Sequence, residues 1–356
     1  MPKRIDLRTE VWTTPTPEMW RVMEAAEPMW APVGEDRNVQ RLEEFGTQLT
    51  GKEACKFVAT TSIANLLGLM ASTDRGDSVI LEADSHMVWL EGFNYAYICG
   101  LFPRLVSSTR GEMPLEDVEN ILVGKRARKT RPPTTLIAVE NPHNDHGGVV
   151  VSEDYMRKLS ELVHPHGCRI HMDGARAHNA SVASGVSIKD YARHVDTIAV
   201  SLNKGLGAPF GALFCGTKSD VEKAHANLLR IGAWNIHRAG IFAAAGYYAA
   251  THMVDRLAED HARARRLADG IRNLPGLDVN TPETNMVRVS TKPGGFGAEA
   301  FTERLRELGV LANQRTEDMF KLTICHAIAD DDIDAAIAAV SKVVESLSSH
   351  KLQAVG

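Results

Sequence analysis

The stretch V-D-T-I-A-V-S-L-N-K-G-L-G-A-P-F-G-A-L-F-C-G, residues 195–216, decides how the rest of the chain is interpreted. It opens with an apolar run from Ile198 to Leu202, broken by one serine, which predicts a strand buried on both faces. A glycine-rich turn follows Lys204, and a second apolar run, Ala212 to Cys215, predicts the returning strand. The amine of Lys204 is therefore expected at the end of a core strand.

A lysine at this position is either a nucleophile or an ordinary loop residue facing solvent, and the second is the commoner case. Partial burial lowers the pKa of a lysine amine and makes it nucleophilic. The stretch C-R-I-H-M-D-G-A-R, residues 168–176, favours the nucleophile because it predicts another buried strand ending on Asp173. An acid and a lysine at successive strand ends can hold pyridoxal phosphate (PLP). The aspartate keeps the pyridine nitrogen protonated, and the lysine binds the aldehyde as a Schiff base.

Composition narrows the class of protein. The chain has 356 residues, of which 44% are hydrophobic and 24% charged, as in ordinary globular proteins. A net charge of −5 gives no reason to expect nucleic acid or an anionic membrane as partner. No apolar run reaches the roughly 18 residues of a membrane helix, and the first residues lack a signal-peptide core. The five cysteines form no C-x-x-C motif, and the histidines show no metal-ligand spacing, so we expect a cytoplasmic protein without a metal.

Strands and helices alternate along residues 77–202, which predicts an α/β domain with a mostly parallel sheet. Buried strands are predicted near 77–83, 135–140, 169–173 and 197–202, and helices near 87–98, 152–164 and 187–193. Ligands of such sheets bind beyond the carboxyl ends of the strands. The residues that follow predicted strands there are His86, Asn141, His143, Asp173 and Lys204.

Three parts are predicted along the chain. They are an N-terminal arm over residues 1–20, a large PLP-binding domain over 21–250, and a linker helix with a smaller C-terminal α+β domain over 251–356. The arm is rich in Trp and Pro and packs either on its own domain or on a neighbouring subunit. Residues 239–274 predict a long helical stretch before the smaller domain begins.

Three hydroxyl side chains, those of Thr60, Thr61 and Ser62, lie at the start of a predicted helix. The free backbone N–H groups and the positive end of a helix, together with these hydroxyls, can form a phosphate site. Simple N-capping is the alternative, because Ser and Thr are favoured at that position anyway.

Three motifs together resemble the L-threonine aldolase family of PLP enzymes, which have the aspartate-aminotransferase-like fold and belong to the beta-eliminating lyase superfamily. They are H-M-D-G-A-R-A-H-N-A (171–180), S-L-N-K-G-L-G-A-P-F-G (201–211) and G-E-D-R-N-V (34–39). The resemblance covers nearly the whole chain. It implies a mostly parallel sheet in a large domain, a PLP cofactor, an amino-acid substrate, and a homodimer or homotetramer with active sites at subunit interfaces.

The resemblance also implies the cofactor site. Lys204 matches the Schiff-base lysine, Asp173 the acid that pairs with the pyridinium nitrogen, and His86 the histidine that stacks on the ring. Arg176 matches an arginine near the cofactor hydroxyl and the substrate carboxylate. The other residues that match cofactor-binding positions are Thr60, Thr61, Ser62 and His237.

The substrate site implied by the resemblance is less well matched. His143 corresponds to a second active-site histidine near the substrate hydroxyl, and Thr9 to a carboxylate-binding serine. Lys321 stands where the family has a carboxylate-binding arginine, and a lysine lacks the bidentate fork. Other departures are Val33, Val88 and Leu90, which replace tyrosines, and His237, which replaces an arginine that contacts phosphate. We expect Val33, Val88 and Leu90 at the rim of the site, where their apolar surface would favour bulkier or aromatic β-substituents.

The reaction implied is retro-aldol cleavage of L-threonine, L-allo-threonine or a bulkier β-hydroxy-α-amino acid such as phenylserine to glycine and an aldehyde. The base is His86, His143 or a water that they hold, and such help contributes about 10²–10⁴ in rate. One alternative is a different PLP reaction on the same scaffold: β-elimination, transaldol transfer or racemisation. The other is a PLP-fold protein that has lost activity, which the presence of Lys204, Asp173 and Arg176 argues against.

Overall fold

The computed structural model describes residues 4–26, 35–124, 132–234 and 236–355, with side chains as far as residue 349. These residues form two compact units. The larger unit comprises residues 15–254, and the smaller comprises residues 1–14 and 255–356. The predicted arm over 1–20 and the predicted boundary at 250 stay predictions.

The described residues contain thirteen strands: β1 (Ile5–Asp6), β2 (Ala54–Val58), β3 (Ser78–Glu82), β4 (Phe102–Val106), β5 (Thr134–Glu140), β6 (Arg169–Gly174), β7 (Thr197–Ser201), β8 (Ala212–Gly216), β9 (Asp278–Val279), β10 (Met286–Ser290), β11 (Val310–Leu311), β12 (Asn313–Thr316) and β13 (Met319–Thr323).

They also contain fourteen α-helices: α1 (Pro17–Ala25), α2 (Arg37–Thr50), α3 (Thr61–Ser72), α4 (His86–Trp89), α5 (Asn94–Tyr97), α6 (Leu115–Val123), α7 (Glu153–Val163), α8 (Ala177–Ser184), α9 (Ile188–Ala192), α10 (Lys218–Arg230), α11 (Ala239–His252), α12 (Leu257–Ile271), α13 (Ala298–Glu307) and α14 (Asp330–Val355). Two 3₁₀ helices span Glu10–Trp12 and His164–His166.

The larger unit is built on a seven-stranded sheet in the order β2-β8-β7-β6-β5-β3-β4. Strands β7, β6, β5, β3 and β4 pair in parallel, whereas β8 runs antiparallel to both β7 and β2. Every residue of β3, β7 and β8 is buried, as the continuous apolar runs predicted. The mostly parallel α/β sheet is therefore confirmed, with β7 and β8 flanking the turn that contains Lys204.

Helix α3 packs on this sheet at a point where only glycine fits. A Cβ atom at Gly68 would lie 2.3 Å from Nδ1 of His171, a residue of the neighbouring strand β6. The missing side chain lets the helix approach the strand closely, so side chains of α3 reach those at the end of β6. The close approach fixes the position of Asn65, one turn earlier on the same helix.

Two helical predictions were wrong in detail. The predicted helix near 87–98 is two single turns, α4 and α5, separated by residues 90–93. Gly92 and Phe93 both have positive φ values, 64° and 56°, which no α-helix accommodates. The predicted long helix over 239–274 is likewise two helices, α11 and α12, each lying in a different unit.

The smaller unit contains a four-stranded antiparallel sheet, β12-β13-β10-β9, and a parallel pair formed by β1 and β11. Helices α12, α13 and α14 supply apolar faces to its core, in which Phe301, Phe320 and Ile333 are fully buried. The smaller unit is thus α+β, as predicted. No helix among the described residues is both long and apolar enough to cross a membrane.

Candidate active site

Four adjacent strands of the larger unit end at one edge of the sheet, and three of them carry an acid there. Glu82 ends β3, Glu140 ends β5, and Asp173 lies one residue before the end of β6. Glu140 and Asp173 are partners in the parallel register. Lys204 follows the end of β7 in the glycine-rich turn. Three acids and a lysine thus share the edge where ligands of such sheets bind.

Asp173 is held at both carboxylate oxygens. Its side chain is 1% exposed. Oδ1 accepts a hydrogen bond from the backbone N–H of Ala175 over 2.9 Å, and Oδ2 accepts one from Nδ2 of Asn65 over 2.9 Å. A buried carboxylate fixed in this way is suited to stabilise a positive charge in front of it.

The amide of Asn65 joins this carboxylate to a second acid, Glu91. Nδ2 of Asn65 also donates to Oε1 of Glu91 over 2.8 Å, and the same oxygen lies 3.1 Å from Nδ1 of His86. Because both carboxylates can only accept, the NH₂ group of Asn65 must face them. Its Oδ1 then accepts from Nε2 of His171 over 3.1 Å. Burial lowers the pKa of His171 to about 4, so this imidazole is neutral near pH 7.

The electrostatics place His86 and Lys204 near the same acids. Burial by itself would lower the pKa of His86. The hydrogen bond with Glu91 and the charges of Asp173 and Glu140 outweigh it and raise the pKa above its ordinary value, while the charge of Lys204 opposes them. Lys204 is half-buried. His86, Asp173 and Lys204 therefore lie within electrostatic reach of one another.

Two of the residues that were predicted to bind phosphate, Thr60 and Thr61, differ in their hydrogen bonds at the start of α3. Thr60 is the N-cap, and its hydroxyl accepts from the backbone N–H of Ile63 over 3.1 Å. The hydroxyl of Thr61 is buried and has no hydrogen-bond partner within the described residues. An unsatisfied buried hydroxyl beside the free N–H groups of a helix start fits an anionic ligand such as a phosphate.

His143 is fixed by its neighbours to a greater extent than His86. Its side chain is fully buried, and Nε2 lies 2.8 Å from Oε2 of Glu82. Nδ1 accepts the backbone N–H of His146 over 3.4 Å. Nε2 of His146 lies 3.4 Å from the other oxygen of Glu82. Burial alone would raise the pKa of Glu82, but the hydrogen bonds from His143 and His146 lower it below its ordinary value.

Glu82, His143 and His146 also have donor atoms within 4.8 Å of one another, the spacing of a metal site. The hydrogen bonds argue for a different state. Because Nδ1 of His143 accepts a backbone N–H and the carboxylate of Glu82 only accepts, the ring proton of a neutral His143 belongs on Nε2. A metal would need that nitrogen unprotonated. The cluster is therefore explained by hydrogen bonding alone.

The remaining predicted residues lie at different places. Arg176 is buried and immediately precedes α8. His237 is exposed in the turn before α11. Thr9 and Lys321 belong to the smaller unit, where Thr9 caps a 3₁₀ helix and Lys321 is a buried residue of β13. The functional roles of these four residues stay predictions.

Two of the three apolar replacements expected at the rim of the site can be located. Val88 packs in a hydrophobic cluster with Leu66 and Leu81, so it does not line a rim. Leu90 is 47% exposed. Val33 lies outside the described residues. The structure thus removes Val88 from the predicted determinants of substrate size.

Sequence reasoning missed the residues that hold the predicted ones in place. These are Asn65, Glu82, Glu91, Glu140, His146 and His171. Glu82 and Glu140 were detectable, because each is the last residue of an apolar run that predicts a strand. Glu91 was hidden by the predicted continuous helix, in which residues five apart lie roughly 140° away from each other around the axis.

The chain is similar to known proteins over most of its length. The model of the beta-eliminating lyase family matches residues 6–292. The chain is 34% identical to the low-specificity L-threonine aldolase 1 of Arabidopsis thaliana over 336 residues, which cover 93% of this chain and 94% of that protein.

Two solved structures share the fold. A threonine aldolase from Leishmania major superposes with a TM-score of 0.82 at 16% identity, covering 96% of this chain and 99% of that one. A structure described as SPT with PLP gives a TM-score of 0.74 at 16% identity, covering 97% of this chain and 88% of that one. At these identities the likeness concerns the fold.

Proposed function

Because the chain belongs to the beta-eliminating lyase family and, within it, to the threonine aldolases, we propose that it cleaves L-threonine and L-allo-threonine to glycine and acetaldehyde with PLP as cofactor. One observation carries this proposal: a chain of hydrogen bonds links His86, Glu91, Asn65 and Asp173. This chain lies at the same edge of the sheet as Lys204. It combines an acid for the cofactor ring, an amine for its aldehyde and a base for the substrate.

The residues present fit PLP. Asp173 would keep the ring nitrogen positive, Lys204 would hold the aldehyde carbon, and the start of α3 with the free hydroxyl of Thr61 would bind the phosphate. We propose Ser62, Arg176 and His237 as further cofactor contacts by their match to the family. When bound, PLP supplies a sink for the electron pair of the breaking Cα–Cβ bond.

The chain's own part in the cleavage is proton transfer and orientation. His86 takes the proton of the β-hydroxyl as the Cα–Cβ bond breaks and the aldehyde forms, and glycine is completed when the α-carbon receives a proton. We favour His86 over His143 as the base, because both nitrogens of His143 face protein groups. Of the two ring nitrogens of His86, only Nδ1 is hydrogen-bonded within the described residues. His143 would then orient the substrate.

Product analysis tests the proposed reaction. Purified protein incubated separately with threonine, allo-threonine, phenylserine and serine should release glycine and the matching aldehyde from the first three. We expect phenylserine to be cleaved at least as well as threonine if Leu90 offers apolar surface to a bulky substituent, at about 25 cal/mol per Å² buried. Ammonia with a 2-oxo acid would show elimination instead. Inversion at Cα without cleavage would show racemisation.

We propose that Lys321 binds the substrate carboxylate together with Thr9 and Arg176, by its match to the family's arginine. Lys321→Ala should raise KM, because loss of a charged hydrogen bond costs about 1.5–3 kcal/mol. That corresponds to about 10- to 150-fold. Lys321→Arg should keep most of the affinity, since it keeps the charge. Steady-state kinetics with threonine measure both variants, and an unchanged KM in Lys321→Ala would remove this lysine from the site.

We propose further that the protein works in the cytoplasm as a homodimer or homotetramer with active sites at subunit interfaces. Support for assembly comes from the family and from apolar side chains next to the site that are exposed in the single chain, Trp89, Phe93 and Tyr97. The five free and buried cysteines are consistent with a reducing compartment. Light scattering of the purified protein measures its mass, and a monomer of full activity would contradict the interface proposal.

A further inference from the structure

The carboxylate of Glu91 is the common point between the proposed base and the proposed ring acid. Its side chain is 1% exposed, and its Oε1 lies within hydrogen-bond distance of both His86 and Asn65. Asn65 is itself fully buried and tied to Asp173. Glu91 therefore cannot move away from His86 without breaking a buried hydrogen bond from Asn65. The same NH₂ group of Asn65 also donates to Asp173.

The hydrogen-bond roles in this set have one consistent assignment. The carboxylate of Glu91 accepts, so the proton on His86 that faces it must be on Nδ1. A neutral His86 with its proton on Nδ1 has a lone pair on Nε2, and Nε2 makes no hydrogen bond within the described part of the chain. The nitrogen that a base needs is thereby the one left available.

The backbone after Glu91 is held in a strained conformation. Phe93 has φ of 56°, in a region that a bulky side chain rarely adopts, and the preceding Gly92 has φ of 64°. Such a conformation persists only where the surroundings require it. Both residues lie in the segment between α4, which ends at Trp89, and α5, the segment that also contains Glu91.

We propose that Glu91 is a positioning residue that fixes His86 with its proton on Nδ1 and so leaves Nε2 free to accept the hydroxyl proton of the substrate. Asn65 anchors Glu91 in this role. The inference deepens the proposed aldolase function and rests on it for the identity of the proton. The geometry of the His86–Glu91 pair is independent of that function.

The charges around His86 decide the direction of the expected effect. The groups that face it are Glu91 through the hydrogen bond, Asp173 and Glu140 from the adjacent strand ends, and Lys204 from the turn after β7. Replacing Glu91 by glutamine removes one of three negative charges and keeps the shape. The protonated form of His86 loses a partner, so its pKa should fall by about 1 to 3.

The experiment compares wild type, Glu91→Gln and the matched control Glu112→Gln, each as the full chain with PLP bound. Glu112 accepts hydrogen bonds from Ser152 in the same unit, so its replacement also removes a bonded carboxylate. Diethyl pyrocarbonate reacts with a histidine side chain only when its imidazole is neutral. Mass spectrometry of the peptide that contains His86 therefore gives the pH midpoint of its labelling without reference to activity.

We expect the His86 midpoint to fall in Glu91→Gln and to stay unchanged in Glu112→Gln. In the pH dependence of kcat for threonine, the acidic limb should move to lower pH by the same amount, because His86 stays deprotonated at lower pH. A purely structural role would scale kcat at every pH and leave both midpoints in place, which would overturn the proposal.

Failure of the two proposals can be told apart. If wild type does not cleave threonine, the aldolase function fails, and the labelling midpoint still tests the His86–Glu91 pair. If wild type cleaves threonine and the midpoint is the same in Glu91→Gln, the positioning role alone is lost. If Glu91→Gln does not fold, the labelling midpoint of His86 in wild type is the test. The proposal requires this midpoint to lie above the ordinary histidine value near 6.5, and a lower midpoint would contradict it.

Discussion

Replacing Lys204 by alanine should lower kcat for threonine cleavage by at least about 10³-fold, since removing the nucleophile of a covalent mechanism costs up to about 10⁶. Lys204 follows the buried strand β7 and lies within electrostatic reach of His86. Without its amine, the chain would keep the proposed phosphate site and the proposed ring acid but would lose the proposed covalent bond to the cofactor. The measurement is single-turnover and steady-state cleavage at saturating PLP.

Chemical labelling provides the independent check on Lys204. Wild type should be yellow when purified with PLP, and borohydride should fix the label on Lys204 and on no other lysine. Lys218→Ala serves as the control, because Lys218 is exposed at the start of α10. A label at a different lysine, or a colourless wild type after addition of PLP, would show that the turn after β7 does not hold the cofactor.

Asp173→Asn should retain PLP but lower kcat by at least about 10²-fold, the lower end of what an acid–base partner contributes. The substitution keeps the shape of the side chain and removes the charge that holds a proton on the ring nitrogen. An asparagine has only one side-chain oxygen, so it cannot accept both hydrogen bonds, from Ala175 and from Asn65, in the way that the two oxygens of Asp173 do. The position of the side chain is therefore also disturbed. Cofactor absorbance separates loss of binding from loss of turnover.

A matched control for Asp173 lies at the opposite end of the sheet. Asp77 is also a buried aspartate that accepts two hydrogen bonds, from Asp74 and Thr135. Asp77→Asn removes a charge of similar burial without touching the site, so it should change thermal stability and leave kcat close to wild type. Near-normal turnover in Asp173→Asn, with the same stability loss as the control, would reject the assignment of Asp173 as ring acid.

The two proposed active-site histidines show what the family resemblance could predict and what required the structure. Both His86 and His143 match active-site positions, and the sequence left the choice of base open. The structure distinguishes them by the partners of their imidazoles: His86 has one hydrogen-bonded ring nitrogen, and His143 has two. His146 and Glu82 account for this difference. Glu82 could be detected as the last residue of a predicted strand, whereas His146 does not stand out in the sequence.

The sequence by itself determined most strands of the central sheet and the residues that follow them. Continuous apolar runs such as Ile198–Leu202 are buried on both faces because a parallel sheet is covered on both sides, so local composition is sufficient to predict them. Asp173 and Lys204 follow from the same logic, since whatever residue ends such a strand must lie at the ligand-binding edge. The family motifs added the cofactor and the reaction.

Only the tertiary structure decided which side chains hold these residues in place. Glu91 meets His86 because α4 ends at Trp89 instead of continuing as one helix, and Asn65 meets Asp173 because Gly68 lets α3 approach β6. Neither contact is a property of a local sequence window. Each depends on where a helix ends or how closely it packs, and these are set by contacts between residues far apart in the chain. The order of residues therefore specified the proposed reacting groups, and the packing of α3, α4 and β6 specified their orientation.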